Sequence, residues 1–140
     1  MAREYEVRSS TRLLNRVMGW MARRGVGPSE VLTTRGRRSA ERRSTPVSPI
    51  VHDGVEYLVS PYGDVGWVHN VRADPEVELR RGKRVRRARL GEITGPETAP
   101  VVAAYHAREK FARKFMEVPE EPTESDFAAA WQRFPVFRVD

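Results

Sequence analysis

Apolar residues along this chain recur at two periods. Leu13, Leu14, Val17, Met18 and Met21 are spaced as one face of a helix. Ser9 or Ser10 can cap that helix, and Gly25 and Gly27-Pro28 end it. The N-terminal stretch 1–24 is therefore expected to be amphipathic, with Arg12, Arg16, Arg23 and Arg24 beside the apolar stripe. From residue 30 the period shortens. Strands are expected at 30–34, 43–51, 55–60, 76–80, 84–94 and 134–139, with Asp53-Gly54 and Arg81-Gly82-Lys83 as hairpin turns. Pro46 and Pro49 remove two ladder donors from the second strand, which places it at a sheet edge or a bulge. A turn or short helix is expected at 67–73. A longer helix is expected at 98–116, with Val102, Tyr105, Phe111 and Phe115 as its core contacts. Thr123 and Asp126 fit a capping box opening a last helix to about Arg133. Hairpins dominate and no βαβ unit is expected. The pattern predicts an α+β chain, one domain over 1–140, built as an antiparallel barrel with flanking helices.

Composition narrows the chemistry. With 39% hydrophobic and 31% charged residues the chain reads as globular. It has no cysteine, which excludes disulfides, thiolate metal sites and a cysteine nucleophile. The polar first twelve residues and the lack of any long apolar run predict a cytoplasmic protein without a signal peptide. Formal charge is +9 over residues 1–90 and −3 over 91–140, so the front half invites an anionic partner. His52, His69 and His106 are scattered, and His106-x-x-Glu109 lacks a second ligand cluster, so no metal centre is expected. No nucleophile elbow is present. The run Arg80–Arg89 is basic but has no interleaved aromatic residue, and nucleic-acid binding is not favoured.

Two stretches carry the remaining signal. Residues 33–46 hold five arginines within nine positions (Arg35, Arg37, Arg38, Arg42, Arg43) around Gly36 and hydroxyl residues. Arginine forks bind phosphate or carboxylate bidentately, and a glycine turn exposes backbone N–H groups; a solvated basic hairpin explains the same composition. The stretch lacks both the Walker and the GxGxxG patterns. Residues 61–75 combine Gly63 and Gly66, which allow a flat ligand close to backbone, with Trp67 as an aromatic wall and Asn70 and Arg72 as polar contacts. A core Trp under a surface loop is the plainer alternative.

Together these stretches resemble the deazaflavin-dependent nitroreductase family. Thr33, Thr34, Gly36, Arg37, Arg38, Ser39, Arg43 and Pro46 match its first motif. Trp67, Asn70, Ala73 and Pro75 match its second, and the terminal 134–138 segment also fits. The resemblance covers about residues 10–140 and implies a split β-barrel that binds the 5-deazaflavin coenzyme F420 and transfers a hydride between it and an organic, apolar small-molecule substrate. It implies coenzyme binding by Gly36, Arg37, Arg38, Ser39, Arg43, Pro46, Gly66, Trp67 and Asn70, with Arg37, Arg38, Ser39 and Arg43 on the phosphate and glutamate tail. No protein nucleophile is needed; Tyr62, His69 and Tyr105 are the candidates for supplying a proton. Two departures stand out: Ala40 occupies a position where the family usually has glycine, and the tyrosine-rich segment lining the nitroreductase substrate pocket is not reproduced between Phe115 and Phe127. Two alternatives remain at this point, a lipid- or fatty-acid-binding protein without turnover and an FMN protein of the same fold. Peripheral contact of the N-terminal helix with an anionic membrane, and a homodimer, are also left open.

Overall fold

The computed structural model describes Arg16 and residues 29–140. The expected N-terminal amphipathic helix and its membrane contact thus lie, Arg16 apart, outside the described residues. Seven strands follow: β1 (Glu30–Arg35), β2 (Arg42–Val47), β3 (Ile50–His52), β4 (Val55–Val59), β5 (Glu76–Arg81), β6 (Arg84–Ile93) and β7 (Val136–Val139). Helix α1 (Gly66–Ala73) lies between β4 and β5, and α2 (Ala99–Arg108) and α3 (Glu124–Ala129) between β6 and β7.

The strand order is β2-β1-β5-β6-β7-β4-β3, and every neighbouring pair is antiparallel. This order forces curvature. Strands β2 and β3 sit at opposite edges, yet only Ser48 and Pro49 separate them in sequence. A flat sheet of this width would hold its edges about 29 Å apart at the usual strand spacing. Three Cα steps reach at most roughly 11 Å. The sheet therefore curls until its edges approach, giving a split barrel. The single strand expected over 43–51 is for this reason two, broken where the chain crosses between edges. Pro46 lies in β2 opposite Val31, where an edge strand tolerates its missing donor.

Strand periodicity divides the core between two layers. In register, Leu58 faces Phe137 and Val59 faces Val136. Leu58 and Phe137 join Leu32, Leu79 and Leu90 inside the barrel, while Val59 and Val136 pack with Val102, Tyr105, Met116 and Phe127 beneath α2 and α3. Helix α1 inserts Val68 and Val71 into the barrel core. The capping box between Thr123 and Asp126 opens α3 as expected, although the helix ends at Ala129 and a 3-10 turn covers Trp131–Arg133.

The helix expected over 98–116 ends at Arg108 instead. Glu109 leaves helical geometry (φ −91°, ψ 85°) while its N–H still bonds the Tyr105 carbonyl. Continued as a helix, Phe111 would point roughly 120° away from the face that buries Tyr105. The break turns the aromatic side chains back: Phe115 meets Tyr62 edge-on at 5.8 Å and Phe111 at 5.4 Å. No helix among the described residues is long and apolar enough to cross a membrane.

Candidate functional site

The turn between β1 and β2 is wound tightly on itself. Gly36 N–H donates to the Glu41 carbonyl at 2.6 Å, and Ala40 N–H donates back to the Gly36 carbonyl at 2.9 Å. Gly36 is buried, and a Cβ there would lie 3.0 Å from the Glu41 carbonyl oxygen. Ala40 closes the turn at φ 58°, a left-handed conformation that favours glycine.

Asn70 fixes this turn to the barrel. It is 5% exposed, on the inner face of α1. Its Oδ1 accepts from the Arg37 backbone N–H at 3.2 Å and from Arg37 Nη1 at 3.1 Å. Its Nδ2 donates to Thr34 Oγ1 at 3.1 Å. Thr34 is itself almost fully buried, so the amide satisfies a hydroxyl that water does not reach.

The loop before α1 is held from both ends. Ser60 Oγ donates to the Gly63 carbonyl at 2.6 Å, and Gly63 takes φ 80°. Arg72 joins the loop to the sheet, reaching Asp64 at 3.1 Å and Glu92 through a two-pronged contact at 2.8 and 2.9 Å. The hydrogen bond to Glu92 first, and the nearby carboxylates after it, push the Arg72 guanidinium further up from its ordinary range. Gly66 begins α1, its Cβ side has no atom within 4 Å, and Val65 gives no side-chain cap.

These elements enclose two clefts. The first, about 370 Å³, is lined by Thr34, the 36–39 turn, Arg43, Ser44, Thr45, Gly66, Trp67 and Asn70. Of the nine sequence-predicted coenzyme residues it brings together eight. Pro46 is the exception and lines the second cleft. The charged residues among the first cleft's lining are Arg37, Arg38 and Arg43, all exposed. Glu41 approaches Arg43 at 3.6 Å, an exposed pair of small energetic weight.

The second cleft, about 560 Å³, is mainly apolar. It runs from Pro46, Val47 and Val59 past Tyr62 and Val65 to Tyr105, Phe111 and Ala112. The clefts share Thr45, Gly66 and Trp67. The half-buried Trp67 ring rests against Phe137 at 5.4 Å, so it is both core packing and shared wall. Tyr105 is 5% exposed, and burial, with Glu109 adding to it, pushes its phenol well up from the ordinary value. His69 is exposed and lines neither cleft. Sequence reading missed Ser48 and Glu109. Both sit where an expected element breaks, so their neighbours depend on the crossover between sheet edges and on the end of α2.

Two arginines of the β5–β6 hairpin are paired with carboxylates. Arg86 pairs with Glu56 and Glu30, Arg89 with Glu76, and Arg80 donates to the Gly82 carbonyl. On the neighbouring edge Arg42 pairs with Glu78.

A curled seven-stranded antiparallel sheet with a basic and an apolar cleft meeting at one tryptophan is the architecture of a split β-barrel. Among solved structures, an F420-H2 dependent reductase superposes with a TM-score of 0.53 at 24% identity, covering 81% of this chain and 94% of that one. A domain-swapped dimer superposes at 0.56 with 21% identity, covering 94% and 100%. Residues 6–114 match the F420H(2)-dependent quinone reductase family, and the chain belongs to it. An F420H(2)-dependent quinone reductase of Mycobacterium tuberculosis strain H37Rv is 29% identical over 113 residues, 77% of this chain and 57% of the relative. The chain thus spans little more than half the length of that curated relative.

Proposed function

We propose that this chain is an F420-dependent oxidoreductase that reduces an apolar organic acceptor of the quinone type. The observation that carries the proposal is the junction of the two clefts across Gly66 and Trp67. An anionic coenzyme and an apolar acceptor held in these adjoining clefts would meet at that junction, which Thr45 also borders.

The residues present fit the coenzyme. Arg37, Arg38 and Arg43 with Ser39, Ser44 and Thr45 form a donor-rich wall suited to a phosphate and a carboxylate tail. Gly66 and Trp67, the first residues of α1, line the same cleft, and a helix start without a side-chain cap favours negative charge. The open side of Gly66 admits a flat ring against backbone, with Trp67 as its wall. In this reading Asn70 is a positioning residue, because its bonds run to Arg37 and Thr34. When bound in its reduced form, F420 supplies a hydride. The chain supplies alignment, exclusion of water and a proton. Tyr62 and Tyr105 line the acceptor cleft, and we assign proton donation or acceptor hydrogen bonding to this pair. Burial keeps Tyr105 in its phenol form, which suits it to donate a hydrogen bond to the acceptor rather than to release its proton, and leaves Tyr62 as the proton-donor candidate of the pair.

The test is anaerobic mixing of the full chain with reduced F420 and a naphthoquinone, following the return of oxidised-coenzyme absorbance. Protein-dependent oxidation is expected. Tight coenzyme binding without oxidation by any of a panel of quinones would instead favour a binding protein. FMN in the same cleft is the lesser alternative, since a single phosphate uses only part of the donor wall. One solved neighbour being a domain-swapped dimer, a homodimer is the corresponding proposal for this chain, and light scattering decides it.

A further inference from the structure

We infer that Glu109 makes the apolar cleft selective by charge, admitting uncharged acceptors and rejecting anionic ones. The inference rests on the reading of that cleft as the acceptor site and adds a specificity-determining residue to it. Among the described residues lining the cleft, Glu109 is the single charged one. Its side chain is only 15% exposed, so its field is screened less than that of a surface carboxylate.

The partner of Glu109 does not cancel it at the cleft. Arg108 contacts the carboxylate at 2.9 Å and also donates to the Ser48 carbonyl at 3.1 Å. Arg108 is not among the lining residues, whereas Glu109 and Ser48 are. The carboxylate thus borders the cleft directly, while the guanidinium lies between it and the Ser48 carbonyl of the β2–β3 crossover. The influence on Tyr105, inside the cleft, follows the same arrangement: Glu109 opposes ionisation of the phenol more than Arg108 promotes it. The helix break after Arg108 creates this arrangement, since Glu109 is the first residue to leave helical geometry.

The neighbouring cleft has the opposite character, with Arg37, Arg38 and Arg43 as the charged residues of its described lining. Opposite signs on either side of Gly66 and Trp67 sort ligands. An anionic molecule is drawn to the arginines and repelled from the acceptor side. An uncharged ring is indifferent to both and follows apolar burial into the second cleft. The carboxylate, an acceptor only, is also free to receive a hydrogen bond from a hydroxyl on a neutral acceptor or its reduced product.

The test uses equilibrium dialysis of the full chain with radiolabelled 1,4-naphthoquinone, displaced by unlabelled 1,4-naphthoquinone or by 1,4-naphthoquinone-2-sulfonate. Displacement reports on the apolar cleft even when the sulfonate also occupies the basic one. In the unaltered protein the sulfonate is expected to displace the label at a concentration up to about tenfold higher than the neutral ring, the scale of a nearby carboxylate whose field Arg108 offsets in part. Glu109→Gln should bring the two concentrations within about twofold, while Glu109→Asp, which keeps the charge, should preserve the gap. Raising ionic strength should narrow the gap in the unaltered protein, a measurement that requires no variant to fold. Equal displacement by both compounds at low salt, or a gap unchanged by Glu109→Gln, overturns the inference and leaves the acceptor-site reading standing. Failure of labelled naphthoquinone to bind at all overturns that reading and the inference with it.

Discussion

Replacing Asn70 by alanine removes a side chain that ties α1 to the basic turn. Three hydrogen bonds disappear: two from Arg37 at 3.1 and 3.2 Å and one to Thr34 at 3.1 Å. They are not equivalent. Thr34 is 2% exposed, so its hydroxyl loses its partner where water does not replace it, at about 1–3 kcal/mol. The Arg37 donors lie nearer solvent, and water takes over part of their bonding, so each is worth about 0.5 kcal/mol or less net. A total loss of about 2–3 kcal/mol is expected. Urea unfolding should show it as a lower midpoint at unchanged slope. Asn70→Asp offers the sharper comparison. A carboxylate accepts from both Arg37 donors and from the Thr34 hydroxyl, so this variant should recover most of the stability that alanine loses. Coenzyme affinity should follow the same order, because the position of Arg37 depends on the bond. The reasoning fails if Asn70→Ala costs under about 0.5 kcal/mol, or if Asn70→Asp is no better than alanine.

Arg38→Ala and Arg43→Ala should each weaken F420 binding roughly tenfold at low salt, a charge-assisted contact being worth about 1.5–3 kcal/mol. The loss should shrink as salt rises; normal affinity in both folded variants would reduce the turn to a solvated hairpin. Ala40→Gly should stabilise the chain by about 0.5–1 kcal/mol, relief of the left-handed φ of 58° outweighing the extra entropy of an unfolded glycine; a drop in thermal midpoint would contradict this. His106 packs against Phe127, and burial first, then Arg113, lowers its pKa below the ordinary 6.5. The unfolded chain then binds more protons there than the fold, so stability is full above pH 6.5 and declines as pH falls below it. His106→Asn should flatten stability between about pH 7 and 5, before most carboxylates titrate, and an unaltered slope would exclude the histidine as its cause.

Much of this site is legible in the sequence because its parts are local. The 36–39 turn needs a glycine and hydroxyls within a few residues, and Val68, Asn70 and Val71 share the inner face of α1 through helical spacing. Pro46 and Pro49 mark the sheet edge from their missing donors alone. What escapes is set by topology. Ser48 reaches the apolar cleft because two residues span the gap between sheet edges, a consequence of the seven-strand order. Glu109 reaches it because α2 stops at Arg108, and the contacts that reward stopping, Phe115 with Tyr62 and Arg108 with Ser48, lie about 50–60 residues away in sequence. Propensity within 98–116 favours a continuous helix, and tertiary packing overrides it. Pro46, assigned by motif to the coenzyme, lines the apolar cleft because the strand that carries it borders both.

The central claim is that the arginine-lined cleft holds a polyanionic deazaflavin beside an apolar acceptor cleft. The most direct measurement is a fluorescence titration of the full chain with F420 and, separately, with FMN at low and at high salt. F420 should bind more tightly, and its advantage should narrow at high salt and in the Arg38→Ala and Arg43→Ala variants. FMN binding as tightly as F420 at low salt, or an F420 advantage indifferent to both salt and these arginines, would contradict it.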